Sequence, residues 1–127
     1  MNWRWLDRRV LLLLHEENLA EHGGTAGLRD EALLDAILAR PVRMAREAGA
    51  GAPDLAAAYA ASLVKECPFT DGNERCALLA AGWFLALNGY RLTASPLDAV
   101  LAVGGLARAE LDEAAFAEWI RRHYKPA

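Results

Sequence analysis

Residues Cys76–Leu87 read CALLAAGWFLAL and contain no charged side chain. Apolar residues occupy every side of a helix drawn through this segment, and Asn88-Gly89 closes it with residues that commonly end helices. A helix that is apolar all round is normally buried. We therefore expect this helix to form the centre of a helical bundle, with both Trp83 and Leu85 in the core.

Capping residues and helix breakers predict further helices on both sides of the central one. We expect a helix from Asp7 to His22, a second capped by Asp30 and ended before Pro41, a third capped by Asp54 and running to Glu66, the central helix from Glu74 to Asn88, a fifth opened by Ser95-Pro96 and fading at Gly104-Gly105, and a last one from Leu111 to Tyr124. The only extended segment that we expect is Arg91–Thr93. The pattern predicts an all-α, single compact helical bundle that spans residues 1–127 as one domain.

The composition excludes several classes of protein. The chain has 127 residues, of which 54% are hydrophobic, and a net charge of −3 that gives no general attraction to nucleic acid. Its apolar runs are too short to cross a membrane, and we expect no membrane association. Two cysteines do not form a disulfide framework, and no signal segment is apparent, so we expect a cytoplasmic protein.

The segment before the central helix, Cys67–Arg75, reads CPFTDGNER and has the character of an anion site. The first N–H groups of a helix have no partner within it, and the helix dipole places partial positive charge there. We expect Gly72, Asn73, Glu74 and Arg75 to surround a bound phosphate. The alternative is a plain helix cap followed by a surface arginine.

Two other residues of this segment have predicted roles. Asp71 carries the carboxylate that can hold a divalent cation against a phosphate, although an Asp-Gly pair is also a common turn. Phe69 is expected to pin the segment to the core.

With these residues in place, the segment resembles the signature of the Fic/Doc family, His-x-Phe-x-(Asp/Asn)-(Gly/Ala)-Asn-(Gly/Lys)-Arg. Residues 69, 71–73 and 75 match this signature, whereas Cys67 replaces its histidine and Glu74 its glycine or lysine. Residues 23–30 (GGTAGLRD) and 84–92 (FLALNGYRL) resemble the segments that flank the signature in the death-on-curing (Doc) branch. The resemblance runs in order through most of the chain.

The resemblance implies a Doc-like toxin component of a toxin–antitoxin system. Such a protein would use ATP and Mg²⁺ to transfer a phosphoryl group to a hydroxyl of a protein such as a translation factor, and an antitoxin protein would be its partner. AMP transfer is the less favoured chemistry, because Leu78 stands where AMP-transferring relatives carry a second arginine. A catalytically impaired protein that keeps only nucleotide or partner binding is the other alternative.

The two departures from the signature leave open whether the chain is an active enzyme. In the family, the signature histidine, which corresponds to Cys67 of this chain, takes the proton of the target hydroxyl. A thiolate is also a base, but its sulfur lies only one bond beyond Cβ, and proton transfer needs contact at roughly 2.6–3.2 Å. Glu74 reverses the charge that a lysine would bring to the phosphate. Cys67 is therefore either an adapted base or a residue that has lost the catalytic role. A covalent nucleophile is the less favoured alternative, because no histidine lies near it in sequence to activate it.

Overall fold

The computed structural model describes residues 2–127, apart from the side chain of Ala48. Six helices and a short two-stranded ribbon make up the fold, which confirms the predicted all-α class. The elements are α1 Arg8–His22, α2 Glu31–Ala48, α3 Ala52–Glu66, α4 Asn73–Leu87, β1 Tyr90–Leu92, α5 Pro96–Ala107, α6 Glu113–Arg122 and β2 Tyr124–Pro126.

The core lies between α3 and α4, which pack along each other more extensively than any other pair of elements in residues 2–127. Leu55, Tyr59 and Leu63 of α3 and Phe84 and Leu85 of α4 have no exposed surface. Helices α1 and α5 pack against α4, and α2 and α6 pack against α3. The N-terminus of α4 therefore starts beside α1 and α5, which places the predicted anion segment between these helices.

The expectation that α4 is buried on every side is wrong. Leu79 and Trp83, one turn apart, are 39% and 45% exposed and form an apolar stripe on the outside of the bundle. Within residues 2–127 no other helix covers this side of α4, since α1, α3 and α5 pack on its other faces. Hydrophobicity alone cannot distinguish an uncovered apolar stripe from a buried one.

Helix α2 continues through Pro41 to Ala48, so the predicted end before Pro41 is wrong. Proline removes one intrahelical hydrogen bond, at the carbonyl of Ile37. The helix nevertheless continues, because Pro41 is buried and Met44 and Ala45 beyond it pack against the core. Gly49, in the left-handed conformation at φ 62°, ends the helix instead.

Helix α3 starts at Ala52 with Gly51 as its cap, so Asp54 is not the N-cap that we predicted. The Asp54 carboxylate instead accepts a hydrogen bond from the Gly51 N–H at 3.0 Å, which stabilises the same first turn from within the helix. Two other limits shift by a few residues: α5 runs past Gly104-Gly105, and α6 is shorter than predicted at both ends.

The extended segment predicted at Arg91–Thr93 lies at β1, which pairs antiparallel with β2. This ribbon ties the end of α4 to the end of α6. None of the helices in residues 2–127 has both the length and the apolar character that crossing a bilayer requires.

The contrast between Leu85 and Trp83 tests the placement of α4. We expect Leu85→Asp to lower the melting temperature by roughly 10 °C or more, because it buries an unpaired charge. Trp83→Asp should lower it by less than half as much, since 45% of the residue is exposed and the introduced carboxylate can reach solvent. Thermal unfolding followed by circular dichroism measures both. Equal losses for the two variants would contradict the exposed stripe.

Candidate functional site

The loop between α3 and α4 is fastened to the core by Phe69. Its side chain is 1% exposed, and its ring stacks on the imidazole of His15 in α1, with centroids 3.7 Å apart and planes 9° from parallel. The Nε2–H of His15 donates to the carbonyl of Asp71 at 2.7 Å. One buried histidine thus holds both the ring and the backbone of the loop.

The side chain of Asn73 closes the loop on itself. Its Oδ1 accepts from the Phe69 N–H at 3.1 Å, and its Nδ2 donates to the Phe69 carbonyl at 2.9 Å. The amide group is therefore held by the loop, and its second Nδ2 hydrogen and the backbone N–H of Asn73 remain to donate to a phosphate. On the far side, the Thr70 N–H donates to the Gly27 carbonyl and the Arg29 N–H to the Pro68 carbonyl.

Three backbone N–H groups at the start of α4 are free to bind a ligand. Gly72 caps the helix in the left-handed conformation at φ 76° and has no side chain to accept a hydrogen bond. Its carbonyl accepts from Cys76, whereas the N–H groups of Asn73, Glu74 and Arg75 have no acceptor within residues 2–127. These N–H groups point out of the N-terminus of α4, where the helix dipole places partial positive charge. Together they create an anion site.

The Asp71 carboxylate is held beside this anion site. Its Oδ1 accepts from the Gly72 N–H at 2.9 Å and its Oδ2 from the Thr25 N–H at 3.2 Å. A Cβ on Gly24 would lie 2.9 Å from Oδ2, so that position requires a residue without a side chain. A carboxylate has about four acceptor positions. Asp71 thus keeps lone pairs that can coordinate a cation.

Arg75 and Glu74 differ in their surroundings. The guanidinium of Arg75 is exposed and forms neither an ion pair nor a hydrogen bond in the described part of the chain. Glu74 points toward α5, where its Oε1 lies 3.3 Å from the position that a Cβ on Gly104 would occupy. The Nη1 of Arg108 lies 3.1 Å from that same position, so the two charges are close neighbours.

Arg108 is a charged neighbour of Glu74 that the sequence did not reveal. A hydrogen bond from its guanidinium to Glu110 raises the pKa of Arg108, as do the charges of Glu110 and, to a smaller extent, Glu74. Arg108 is the C-cap of α5 and is distant from Glu74 in sequence. Only the packing of α5 on α4 brings this positive charge to the side of Glu74.

Cys67 does not face the anion site. It caps α3 in the left-handed conformation, at φ 47° and ψ 63°, and its thiol donates back to the carbonyl of Val64 at 3.2 Å. Its sulfur is therefore directed to the last turn of α3. In this conformation Cys67 has no contact through which it could take a proton from a group at the start of α4.

A cavity of about 530 Å³ opens over the start of α4. Residues 70–75 line it together with Leu78, with Val100 and Val103 of α5, and with Asn18 and His22 of α1. We did not predict the contribution of α1. Its polar residues 15, 18 and 22 follow the i, i+3, i+7 spacing of one helical face, which was the available signal. The cavity combines hydrogen-bond donors and one arginine with two carboxylates, Asp71 and Glu74, and is suited to a polyanion bound with a cation.

Comparison with known proteins agrees with this architecture. The model of the Fic/DOC family matches residues 5–85. The Protein kinase doc of Escherichia phage P1 is 33% identical over 125 residues, which cover 98% of each chain. The Toxin Doc of Mycolicibacterium smegmatis is 43% identical over 76 residues, which cover 57% of each chain.

The two cysteines provide a test of the loop geometry. Burial raises the pKa of the Cys76 thiol to about 12, and this side chain has no exposed surface. Cys67 is half-buried. Because the thiolate is the reactive form, we expect a thiol reagent at pH 8 to modify Cys67 in the native protein and Cys76 only after unfolding.

Absorbance of released thionitrobenzoate counts the thiols in native buffer and in guanidinium chloride. Cys67→Ser should remove the reaction in native buffer and leave one thiol in denaturant. Rapid reaction of both cysteines in the native wild type would contradict the burial of Cys76.

Proposed function

We propose that this chain, which belongs to the Fic/DOC family, is a Doc-like toxin that binds ATP at the start of α4 and transfers a phosphoryl group to a protein hydroxyl. The relative from Escherichia phage P1 is named Protein kinase doc, and the relative from Mycolicibacterium smegmatis is named Toxin Doc. The proposed target is a translation factor, as the resemblance implies.

The observation that carries the proposal is the convergence of donors on one cavity. The free N–H groups of residues 73–75 and the unpaired guanidinium of Arg75 lie at the positive end of α4. Phosphoryl transfer depends chiefly on positioning and on neutralising negative charge. Backbone donors that are already fixed by the Phe69 and Asn73 contacts need no rearrangement to do this.

A magnesium ion fits the residues that are present, with Asp71 as its protein ligand. No group of three or more histidine, cysteine, aspartate or glutamate side chains gathers into a metal site within residues 2–127. Magnesium is commonly held by one or two carboxylates together with phosphate oxygens and water, so one carboxylate beside a phosphate site suffices. When bound, the ion would neutralise charge on the phosphates.

The position of Cys67 favours a second candidate function. Its thiol donates to the Val64 carbonyl and does not line the cavity, which supports the interpretation of Cys67 as a residue that has lost the catalytic role. A protein that binds nucleotide or a partner without transfer fits this observation. AMP transfer remains the less favoured chemistry, because Leu78 places an apolar side chain in the cavity where a second arginine would stand.

An antitoxin is the proposed protein partner, and the exposed apolar stripe of α4 is its proposed contact. Leu79 and Trp83 lie on one side of α4, and α5 exposes Leu97, Val100 and Leu101 on one face. Val100 also lines the cavity over the loop. A segment laid on this surface would bury apolar area and lie beside the proposed ATP site.

Nucleotide binding is tested by calorimetry with ATP and magnesium. We expect Arg75→Ala to weaken binding by roughly 1.5–3 kcal/mol, the contribution of a hydrogen bond to a charged group. Arg43→Ala, which removes an exposed arginine from α2, is the matched control and should bind as the wild type does. Absence of wild-type binding at millimolar ATP would contradict the proposed use of ATP.

The catalytic step is tested by Cys67→His, Glu74→Lys and the double variant. Histidine would supply a base with the reach that cysteine lacks, an effect typically of ~10²–10⁴ in rate. Lysine would restore attraction to phosphate. We expect the double variant to phosphorylate protein in a cell lysate faster than the wild type and to arrest growth more strongly. A wild type as active as the double variant would show that Cys67 is part of a working, adapted site.

A further inference from the structure

Asn18, in α1, is a buried polar residue whose side chain has no hydrogen-bond partner within residues 2–127. Its exposed fraction is 4%, and the small surface that remains lines the cavity over the loop. No side-chain N or O atom that is sealed from solvent within residues 2–127 lacks a hydrogen-bond partner, so the amide atoms of Asn18 reach the surface of the cavity and are accessible to a ligand there. The orientation of an unpartnered amide toward a cavity suggests that a ligand provides the partner.

The amide of Asn18 is aimed at the start of α4. Its Nδ2 lies 3.0 Å from the position that a Cβ on Gly72 would occupy, so any side chain at residue 72 would displace it. One turn earlier, His15 donates to the Asp71 carbonyl and stacks on Phe69. Because residues 15 and 18 share a helical face, the contacts of His15 hold Asn18 in register with the loop.

We propose that Asn18 is a ligand-binding residue of this cavity, and that its Nδ2 donates to an oxygen of the same phosphate that the free N–H groups of α4 bind. The inference rests on the proposed function and adds to it a contact from α1. The chemistry of the neighbouring groups favours this ligand. Three backbone N–H groups and one amide N–H₂ converge as donors, and a tetrahedral oxyanion offers several acceptor oxygens at once.

The decisive variant is Asn18→Asp, which keeps the shape of the side chain but replaces the donor with a negatively charged acceptor. We expect it to weaken the binding of magnesium-ATP and of tripolyphosphate by the same factor, at least roughly tenfold. Asn18→Ala should weaken both ligands less, because it adds no repulsion. Tripolyphosphate has no nucleoside, so an equal loss for the two ligands assigns the contact to the phosphate chain.

Two controls separate this role from a structural one. Asn2→Asp makes the same substitution on an exposed residue at the other end of the fold and should leave binding unchanged. In the absence of ligand, Asn18→Ala should melt within about 3 °C of the wild type, because it breaks no hydrogen bond within the described chain. Saturating ligand should raise the melting temperature of the wild type by more than that of Asn18→Asp.

The possible results have distinct meanings. If Asn18→Asp binds as the wild type does while Arg75→Ala loses affinity, the role of Asn18 is overturned and the proposed function stands. A large loss of stability in ligand-free Asn18→Ala would assign the residue to the fold and also overturn the inference. If the wild type binds neither magnesium-ATP nor tripolyphosphate, both proposals fail together.

Discussion

The stacking of Phe69 on His15 is the interaction on which the geometry of the site depends. A loop of a few residues must stop one helix and start the next with its free N–H groups aimed at the same space. The ring contact fixes the loop to α1 and the core. The Asn73 side chain hydrogen-bonds to both the N–H and the carbonyl of Phe69. These contacts fix the donors before any ligand arrives, so little conformational freedom is lost on binding.

The electrostatics of the cavity depend on packing as much as on the residues of the loop. Glu74 suits the first turn of a helix, where a carboxylate complements the dipole, but it also competes with an anionic ligand for the same field. The structure places Arg108 of α5 beside it, and Gly104 leaves room for both side chains. The negative charge of Glu74 is thus partly balanced outside the loop, which leaves Arg75 free to face a ligand.

Most features decided by neighbouring residues were predictable from the sequence, with the cap predicted at Asp54 as an exception, whereas features decided by packing were not. Asp30 and Ser95 cap α2 and α5 as expected, because a cap needs only the next few residues. The loop was recognisable from its own residue pattern. By contrast, Pro41 lies inside α2 and Trp83 faces solvent, because distant elements decide what is covered. The approach of Asn18 to the loop depends likewise on how α1 packs on α4.

The left-handed conformation of Cys67 bears on how this position could change. Cysteine has no particular preference for φ near 47°, whereas histidine is among the residues found there more often than most. The backbone between α3 and α4 therefore has a shape that suits its present side chain less well than the one in the family signature. Histidine at position 67 would therefore meet no more backbone strain than cysteine does. The main chain at the end of α3 does not oppose the signature residue, so the surroundings of the side chain decide whether a longer one fits there.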